Sequence, residues 1–490
     1  MAETILVIDE GTTSTRAMLF AADGRCLASE QADLQQYYPR PGWVEHDAEE
    51  IWTKTLACAR AMAAAAGGAE RVAAIGITNQ RETIVFWSRS SGHALGPAIV
   101  WQDRRTADLC GRLKEKGEEK GLQERTGLLL DPYFSGSKIA WAMAEWPELK
   151  AAGDDLCIGT IESWLVFRLT AGLHLSDATN ASRTALMDIR TGLWDSALVD
   201  LFDTPAKALP EIVDCAGDFG TTDPEWFGAP IRISGLAGDQ QSAAIGQACL
   251  AEGETKATYG TGAFVLTHTG RHAPVSRHRL LSTIAWRIQS ETRYALEGSI
   301  FVAGSLIKWL RDSLGLIVTA EETATLAGSV ADSGGAYIVP ALAGLGAPHW
   351  APEARASISG LSFATGRPEI VRAALEAMAH QTHDLMTAFA ADGAPWQRLR
   401  IDGGMSSNDW LAQDLADMLD LEVERPDFVE TTALGAAMLA GIGCGLFGSL
   451  EEAAAMRGSA RRFTPTMESD RRHSRLAGWR GALQSVLSGA

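Results

Sequence analysis

Long hydrophobic runs are missing from this 490-residue chain. The most apolar stretch, from Gly435 to Phe447, is laced with glycines and too short to cross a bilayer, which takes about 20 residues, so no membrane span is expected. A basic excess is missing too. Lys and Arg number 43 against 61 Asp and Glu, a formal net charge of −18, whereas a nucleic-acid surface needs clustered cations that displace counterions from phosphates. Nucleic acid is therefore not an expected partner. The opening Met1-Ala2-Glu3-Thr4 has no basic segment leading into an apolar one, so nothing there resembles a secretory leader. The cysteines Cys26, Cys58, Cys110, Cys157, Cys215, Cys249 and Cys444 are scattered, with no Cys-x-x-Cys pair and no histidine at zinc spacing, and read as reduced core thiols of a cytoplasmic protein. The dipeptide Gly-Lys occurs nowhere, which removes the P-loop class of nucleotide binders.

The length exceeds what one hydrophobic core supports, so two large domains are expected. The chain opens with an apolar strand, Ile5 to Asp9, that breaks into Glu-Gly-Thr-Thr-Ser-Thr and resumes as a second strand from Arg16 to Phe20. Asp23-Gly24 then turns into a third strand, which makes an antiparallel meander. A helix is expected from about Ala48 to Ala66, stopped by Gly67 and Gly68, and strands at "VAAIGIT", "TIVFW" and "PAIVWQD". "RTADLCGRLKEKGEEKG" reads as one helix with a charged, solvated far half. Near Ala237 a strand of small residues runs into Asp239-Gln240-Gln241 and a helix, after which "KATYGTGAFVLTHT" repeats the strand, turn, strand unit of the start. Two copies of one α/β fold are inferred, residues 1–247 and 248–490. In the second copy a long helix, "RPEIVRAALEAMAHQTHDLMTAFAA", precedes a strand, glycine turn and helix at "LRIDGGMSSNDWLAQDLADML".

The first break is an ordinary hairpin turn by shape, but its content is that of a phosphate cradle: backbone N–H groups near Gly11, several hydroxyls, a cation at Arg16, and Asp9 at the strand end to hold a hydrated magnesium ion. "YGTG" supplies a similar turn, and "DGGMSSN" sets two glycines before a helix N-terminus, where the helix dipole favours an anion. Asp239 has two roles open to it, helix N-cap or a general base that takes the proton of an attacking hydroxyl. Gln240 adds a donor and an acceptor for a polar substrate. Arg81 and Glu82 interrupt two apolar strands; facing a cleft, they would hold adjacent hydroxyls of a polyol, with Trp101, Tyr133 and Phe264 as an apolar wall against its carbon backbone. His349, His380 and His383 have no metal spacing and read as structural.

Taken in order, "DEGTTSTR", "GITNQRET", "VWQDRR", "DPYFSGSK", "SDATNASRT", "SGLAGDQQSA", "TYGTGAF", "VPALAGLGAPHW", "DGGMSSN" and "ETTALGAAMLAG" resemble the FGGY carbohydrate kinases over residues 9 to about 441. The resemblance implies an α/β fold class: two ribonuclease H-like domains of the actin type, with an interdomain catalytic cleft that closes on Mg2+, ATP and a small polyol, glycerol being the favoured one. It implies substrate contacts from Arg81, Glu82, Trp101, Tyr133, Asp239, Gln240 and Phe264, with Asp239 as base. Thr12, Thr13, Ser14 and Arg16 match the first phosphate loop, and Thr261, Gly304, Gly404 and Asn408 match nucleotide positions. Asp9 and Asp239 would hold magnesium, and a homodimer or homotetramer is implied. Two departures stand out. Lys308 replaces an expected glutamine near the nucleotide, and Gly228-Ala229-Pro230 replaces the Gly-Thr-Arg with which some bacterial members bind fructose 1,6-bisphosphate, so inhibition by that compound is expected to be weak or absent.

Overall fold

The computed structural model describes residues 4–351 and 353–489; Met1, Ala2 and Glu3, on which the absence of a secretory pattern is read, lie outside them. The first half is built on a five-stranded sheet in the order Ile233–Gly238, Val72–Asn79, Thr4–Glu10, Ser14–Ala21, Cys26–Asp33. The meander of the first three is antiparallel, and Val72–Asn79 and Ile233–Gly238 add in parallel. Ile5, Leu6, Val7 and Ile8 are all fully buried, which is why this strand reads as a continuous apolar run: both faces of the sheet are covered. On one face lies the helix Ala48–Ala65, whose N-terminal amides at Glu49 and Glu50 are capped by the Asp47 carboxylate and whose chain leaves through Gly67 at φ +90°.

The second half repeats this plan. Within a seven-stranded sheet, Val423–Pro426, Arg398–Asp402, Glu254–Tyr259, Ala263–Gly270 and Glu291–Ile300 follow one another in the same order and directions as the five strands of the first sheet. Leu281–Ile288 and Ala460–Phe463 are added at its two edges. The helix Arg367–Ala391 takes the place of Ala48–Ala65 between the third and fourth strands. The helices that follow the fifth strands, Asp239–Gly246 and Thr431–Gly443, pack against each other where the halves meet. A Cβ at Gly246 would sit 1.9 Å from the Thr431 carbonyl oxygen, and one at Gly435 would sit 1.8 Å from that of Ser242. Each helix therefore touches the other's backbone through a glycine, and the Ser242 hydroxyl donates to the Thr432 carbonyl at 2.7 Å.

Two local readings change. The expected single helix after Arg104 is two, Ala107–Glu115 and Glu118–Thr126, because Gly117 at φ +84° leaves the right-handed region. The expected strand "PAIVWQD" is only Ala98–Ile99, which leaves Trp101 in a turn. A Gly-x-Gly-x-x-G string, Gly443 to Gly448, closes a helix instead of opening one, so it lacks the context of a dinucleotide fingerprint. Among the described residues no helix is long and apolar enough to cross a membrane.

Candidate active site

The carboxyl ends of three adjacent parallel strands, Thr4–Glu10, Val72–Asn79 and Ile233–Gly238, lie along one edge: Asp9 is in register with Thr78, and Gly238 with Asn79. Asp9, Arg81 with Glu82, and Asp239 leave the sheet there, the position where open α/β sheets bind ligands. Gly238, not Asp239, is the N-cap of the helix that follows, and the Asp239 carboxylate accepts only from the Gln240 amide, at 2.7 Å. The capping role is thus closed to Asp239, whose side chain keeps 32% of its surface open. Gly238 is required for another reason: a Cβ there would lie 2.6 Å from Arg81 Cγ, so the arginine stem lies directly over the glycine.

Arg81 is the centre of a buried network. Its Nη1 and Nη2 donate to the two oxygens of Glu297 at 2.6 and 3.1 Å, and Nη1 also donates to Gln241 Oε1 at 3.2 Å. Arg183 donates from Nε to Glu82 at 2.6 Å and from Nη2 to Glu297 at 2.9 Å. Two guanidinium groups and two carboxylates, all at most 2% exposed, balance in charge. The contacts are shared unequally. Burial alone would raise Glu297, but the cations Arg183 and Arg81 hold its carboxyl down at about 2. Burial wins at Glu82, which is raised despite Arg81 and Arg183. Glu82 adopts φ +64°, a strained backbone for a residue with a Cβ. Arg81 Nε lies 3.2 Å from Asp239 Oδ1 and 3.8 Å from Glu82 Oε1, yet among the described residues its N–H finds no hydrogen-bond partner.

Aromatic side chains wall this edge. Trp101 stands edge-on to Tyr133 and Phe264, with ring centroids 5.6 and 6.2 Å away. Its indole N–H donates to Thr12 Oγ1 at 2.9 Å, so one tryptophan ties the first phosphate-type turn to the wall. The Tyr133 loop is fixed from beneath by Lys138, a buried ammonium that donates to the carbonyls of Pro132, Tyr133 and Phe134 at 2.7, 2.6 and 3.4 Å.

Beyond the wall are the glycine turns. Gly260 N donates to Gly262 O, and Gly304 N donates to Gly260 O, both at 2.9 Å. A Cβ at Gly304 would lie 2.5 Å from Gly260 O, and one at Gly403 would lie 2.6 Å from Tyr259 O. The turns at Thr261, Gly304 and Gly403 therefore pack backbone to backbone, with Gly304 and Gly403 the positions that need glycine, and Thr261 and Gly404 are exposed beside them. Lys308 stands exposed one turn along the helix Gly304–Asp312 and, among the described residues, has no hydrogen bond or ion pair. Asn408 is committed locally: its Oδ1 caps the helix Asp409–Leu419 through Leu411 N, and its Nδ2 donates to Thr323. In the first turn, Thr13 is exposed, Thr12 and Ser14 are half-buried, and Arg16 pairs with Glu430 at 2.6 Å and Gln31 at 3.1 Å. Burial raises the Asp9 carboxyl to about 7; Arg16 opposes this, and Glu430 and Asp239 add to it. Among the described residues no three acids, histidines or cysteines come close enough to hold a metal ion by themselves, so a Mg2+ ion here would take one or two carboxylates and complete its shell with water and phosphate oxygens.

This edge brings together, on a duplicated α/β fold, an acid, a paired cation and glycine turns, the groups that a phosphoryl-transfer cleft needs. The chain belongs to the FGGY family of carbohydrate kinases: residues 4–246 match the family's N-terminal domain and residues 255–444 its C-terminal domain. Over essentially its whole length it resembles glycerol kinases. It is 53% identical to that of Methylobacterium nodulans over 495 residues, with 99% of each chain covered, and 49% identical to glycerol kinase 1 of Pseudomonas aeruginosa over 494 residues, with 100% of each covered. The crystal structure of Plasmodium falciparum glycerol kinase with ADP matches with a TM-score of 0.94 at 37% identity, covering 99% of this chain and 98% of that one.

Sequence reasoning missed Arg183, Gln241, Lys256 and Glu297. Arg183 lies in "SDATNASRT", a motif that carries the family resemblance, and Gln241 adjoins Gln240. Glu297 and Lys256 sit in buried stretches of two strands of the second half and are at most 1% exposed, and charges there need partners from elsewhere in the fold.

Proposed function

We propose that the chain transfers the γ-phosphoryl group of ATP to glycerol, giving sn-glycerol 3-phosphate. The observation that carries this reading is the buried Arg81 N–H without an acceptor, held between Glu82 and Asp239 and beneath an aromatic wall. A substrate hydroxyl is the missing acceptor. Arg81 and Glu82 hold adjacent hydroxyls of the polyol, Trp101, Tyr133 and Phe264 flank its carbons, and Gln240 binds at its rim. Asp239 takes the proton of the terminal hydroxyl as it attacks phosphorus. The hydroxyls and backbone of Thr12, Thr13 and Ser14, with Arg16 exchanged from Glu430, bind phosphate oxygens; Thr261, Gly304, Lys308, Gly404 and Asn408 line the nucleotide side. Asp9 and Asp239 would hold Mg2+, which supplies charge neutralisation at the phosphates when bound. Residues 1–247 form the polyol and first phosphate-loop domain and residues 248–490 the nucleotide domain, and their approach excludes water. The protein works in the cytoplasm as a homodimer or homotetramer.

The test is ADP release from Mg-ATP with glycerol, erythritol and ketopentoses each at saturation. Glycerol is expected to give fast turnover and the others little. Faster turnover on a ketopentose would leave a phosphoryl-transfer site but refute the assignment of Arg81, Glu82 and Phe264 to glycerol. A hydrolysis rate indifferent to every polyol would instead make this a chaperone-like ATPase of the actin-related class.

A further inference from the structure

We propose that Lys256 is a positioning residue that fixes the Gln240 side-chain amide with its NH2 group toward the substrate, so that Gln240 recognises a polyol hydroxyl as a donor. The inference rests on the reading of Gln240 as a polyol contact.

Lys256 belongs to the strand Glu254–Tyr259 of the second half, and Gln240 to the first turn of the helix Asp239–Gly246 of the first. Lys256 is fully buried. Its ammonium donates to Gln240 Oε1 and, at 2.8 Å, to Thr258 Oγ1. An amide side chain has two nearly isosteric ends, and its orientation is settled only by its partners. An ammonium has three donors and no acceptor, so the end that faces Lys256 must be the oxygen. The NH2 end is then left over; it has no hydrogen-bond partner among the described residues, and Gln240 is only half-buried. The group thus presents donors alone on its open side, next to the carboxylate of Asp239.

A structural explanation of Lys256 is weaker. No carboxylate lies within 4.0 Å of it among the described residues; Asp402, Asp239 and Glu297 act on it only from farther away. An ammonium buried without an ion pair is costly, and an apolar residue of similar length would fill the same space at lower cost. What the charge achieves that a methylene cannot is the choice of amide face, made across the junction of the two halves. Approach of the halves therefore also sets the hydrogen-bonding sense of the polyol site.

The decisive variant is Gln240→Glu. Its carboxylate keeps a partner for the Lys256 ammonium but offers acceptors only, so the glycerol KM is expected to rise about tenfold, as in Gln240→Ala, with the ATP KM unchanged. A wild-type glycerol KM in Gln240→Glu would overturn the proposal, since an acceptor would then be what the substrate meets. Lys256→Met is expected to raise the glycerol KM similarly, and Gln240→Ala combined with Lys256→Met to be no worse than Gln240→Ala alone. Additive effects would show that Lys256 acts by another route and would also overturn it. Thermal unfolding and the ATP KM establish whether Lys256→Met is folded; if it is not, Gln240→Glu decides. A wild-type glycerol KM in Gln240→Ala removes Gln240 from the polyol site and the parent reading with it, whereas a raised KM there beside a normal one in Gln240→Glu defeats this inference alone.

Discussion

Glu297→Gln leaves two buried guanidinium groups, Arg81 and Arg183, facing one carboxylate instead of two. The cost follows from the structure by two routes. Burial disfavours the Glu297 carboxylate, yet Arg183 and Arg81 bring it from 4.5 to about 2. At about 1.4 kcal/mol per tenfold in proton affinity, that difference is worth about 3 kcal/mol at neutral pH. Independently, breaking a buried ion pair from one side costs about 3–5 kcal/mol. The sign is fixed: a carboxyl lowered on folding contributes stability above its unfolded value of 4.5 and loses it as pH falls toward 2. Urea unfolding at pH 7 should therefore show Glu297→Gln less stable by about 3 kcal/mol, a gap that narrows below pH 4.5. Arg183→Met, destabilising alone, should partly rescue it, because the double variant returns to one cation and one anion, Arg81 and Glu82. If the double variant loses the full sum of the single losses, the four groups do not act as a network and the reasoning fails. Both single variants should also raise the glycerol KM, since Glu297→Gln weakens the acceptor that aims Arg81 and Arg183→Met removes the cation that holds Glu82 and Glu297 in place.

Asp239→Asn should abolish turnover while largely sparing glycerol binding by calorimetry; undiminished turnover would remove it from the role of base. Glu162 is a buried acid remote from the cleft's chemistry, raised to about 8 by burial first and Asp177 second, with one oxygen lacking a partner. A raised carboxyl stabilises the fold fully below its unfolded value of 4.5 and loses that contribution as pH rises through about 8. Glu162→Gln should accordingly flatten the fall in urea midpoint between pH 5 and 8, and an unchanged slope would contradict the assignment. Gly435→Ala should destabilise by about 3 kcal/mol in the same assay, because its Cβ would meet the Ser242 carbonyl at 1.8 Å in a backbone contact with no room to yield; a neutral effect would mean the two helices separate freely.

What could be read from the residues alone was local or repeated. The meander of the first three strands was legible because alternate turn chemistry and apolar runs lie within thirty-odd residues, and the repeat was legible because "YGTGAFVL" carries the same strand, turn, strand pattern as the start. Gly117 escaped notice because one glycine inside a charged helical pattern is ordinary, and only its φ of +84° makes it a break. Arg81 and Glu82 stood out because charges interrupted apolar strands.

Their partners could not stand out in the same way. Glu297 is 216 residues from Arg81, and Lys256 reaches Gln240 from the opposite sheet. Long-range pairs of this kind leave a trace in sequence only as charges inside strands that ought to be apolar, and each such charge announces that a partner exists without naming it. That makes the interior charges of the second half informative once the first half's site is drawn. The strand Glu291–Ile300 delivers Glu297 to Arg81, and Glu254–Tyr259 delivers Lys256 to Gln240. The proposed polyol side of the cleft is thus assembled by side chains from both halves, and a motion that parted the halves would disturb Arg81 and Gln240 together. Under the proposed function, domain closure and substrate recognition become one equilibrium: glycerol should favour the closed form through the same Arg81 and Gln240 contacts that would distinguish it from a polyol with misplaced hydroxyls.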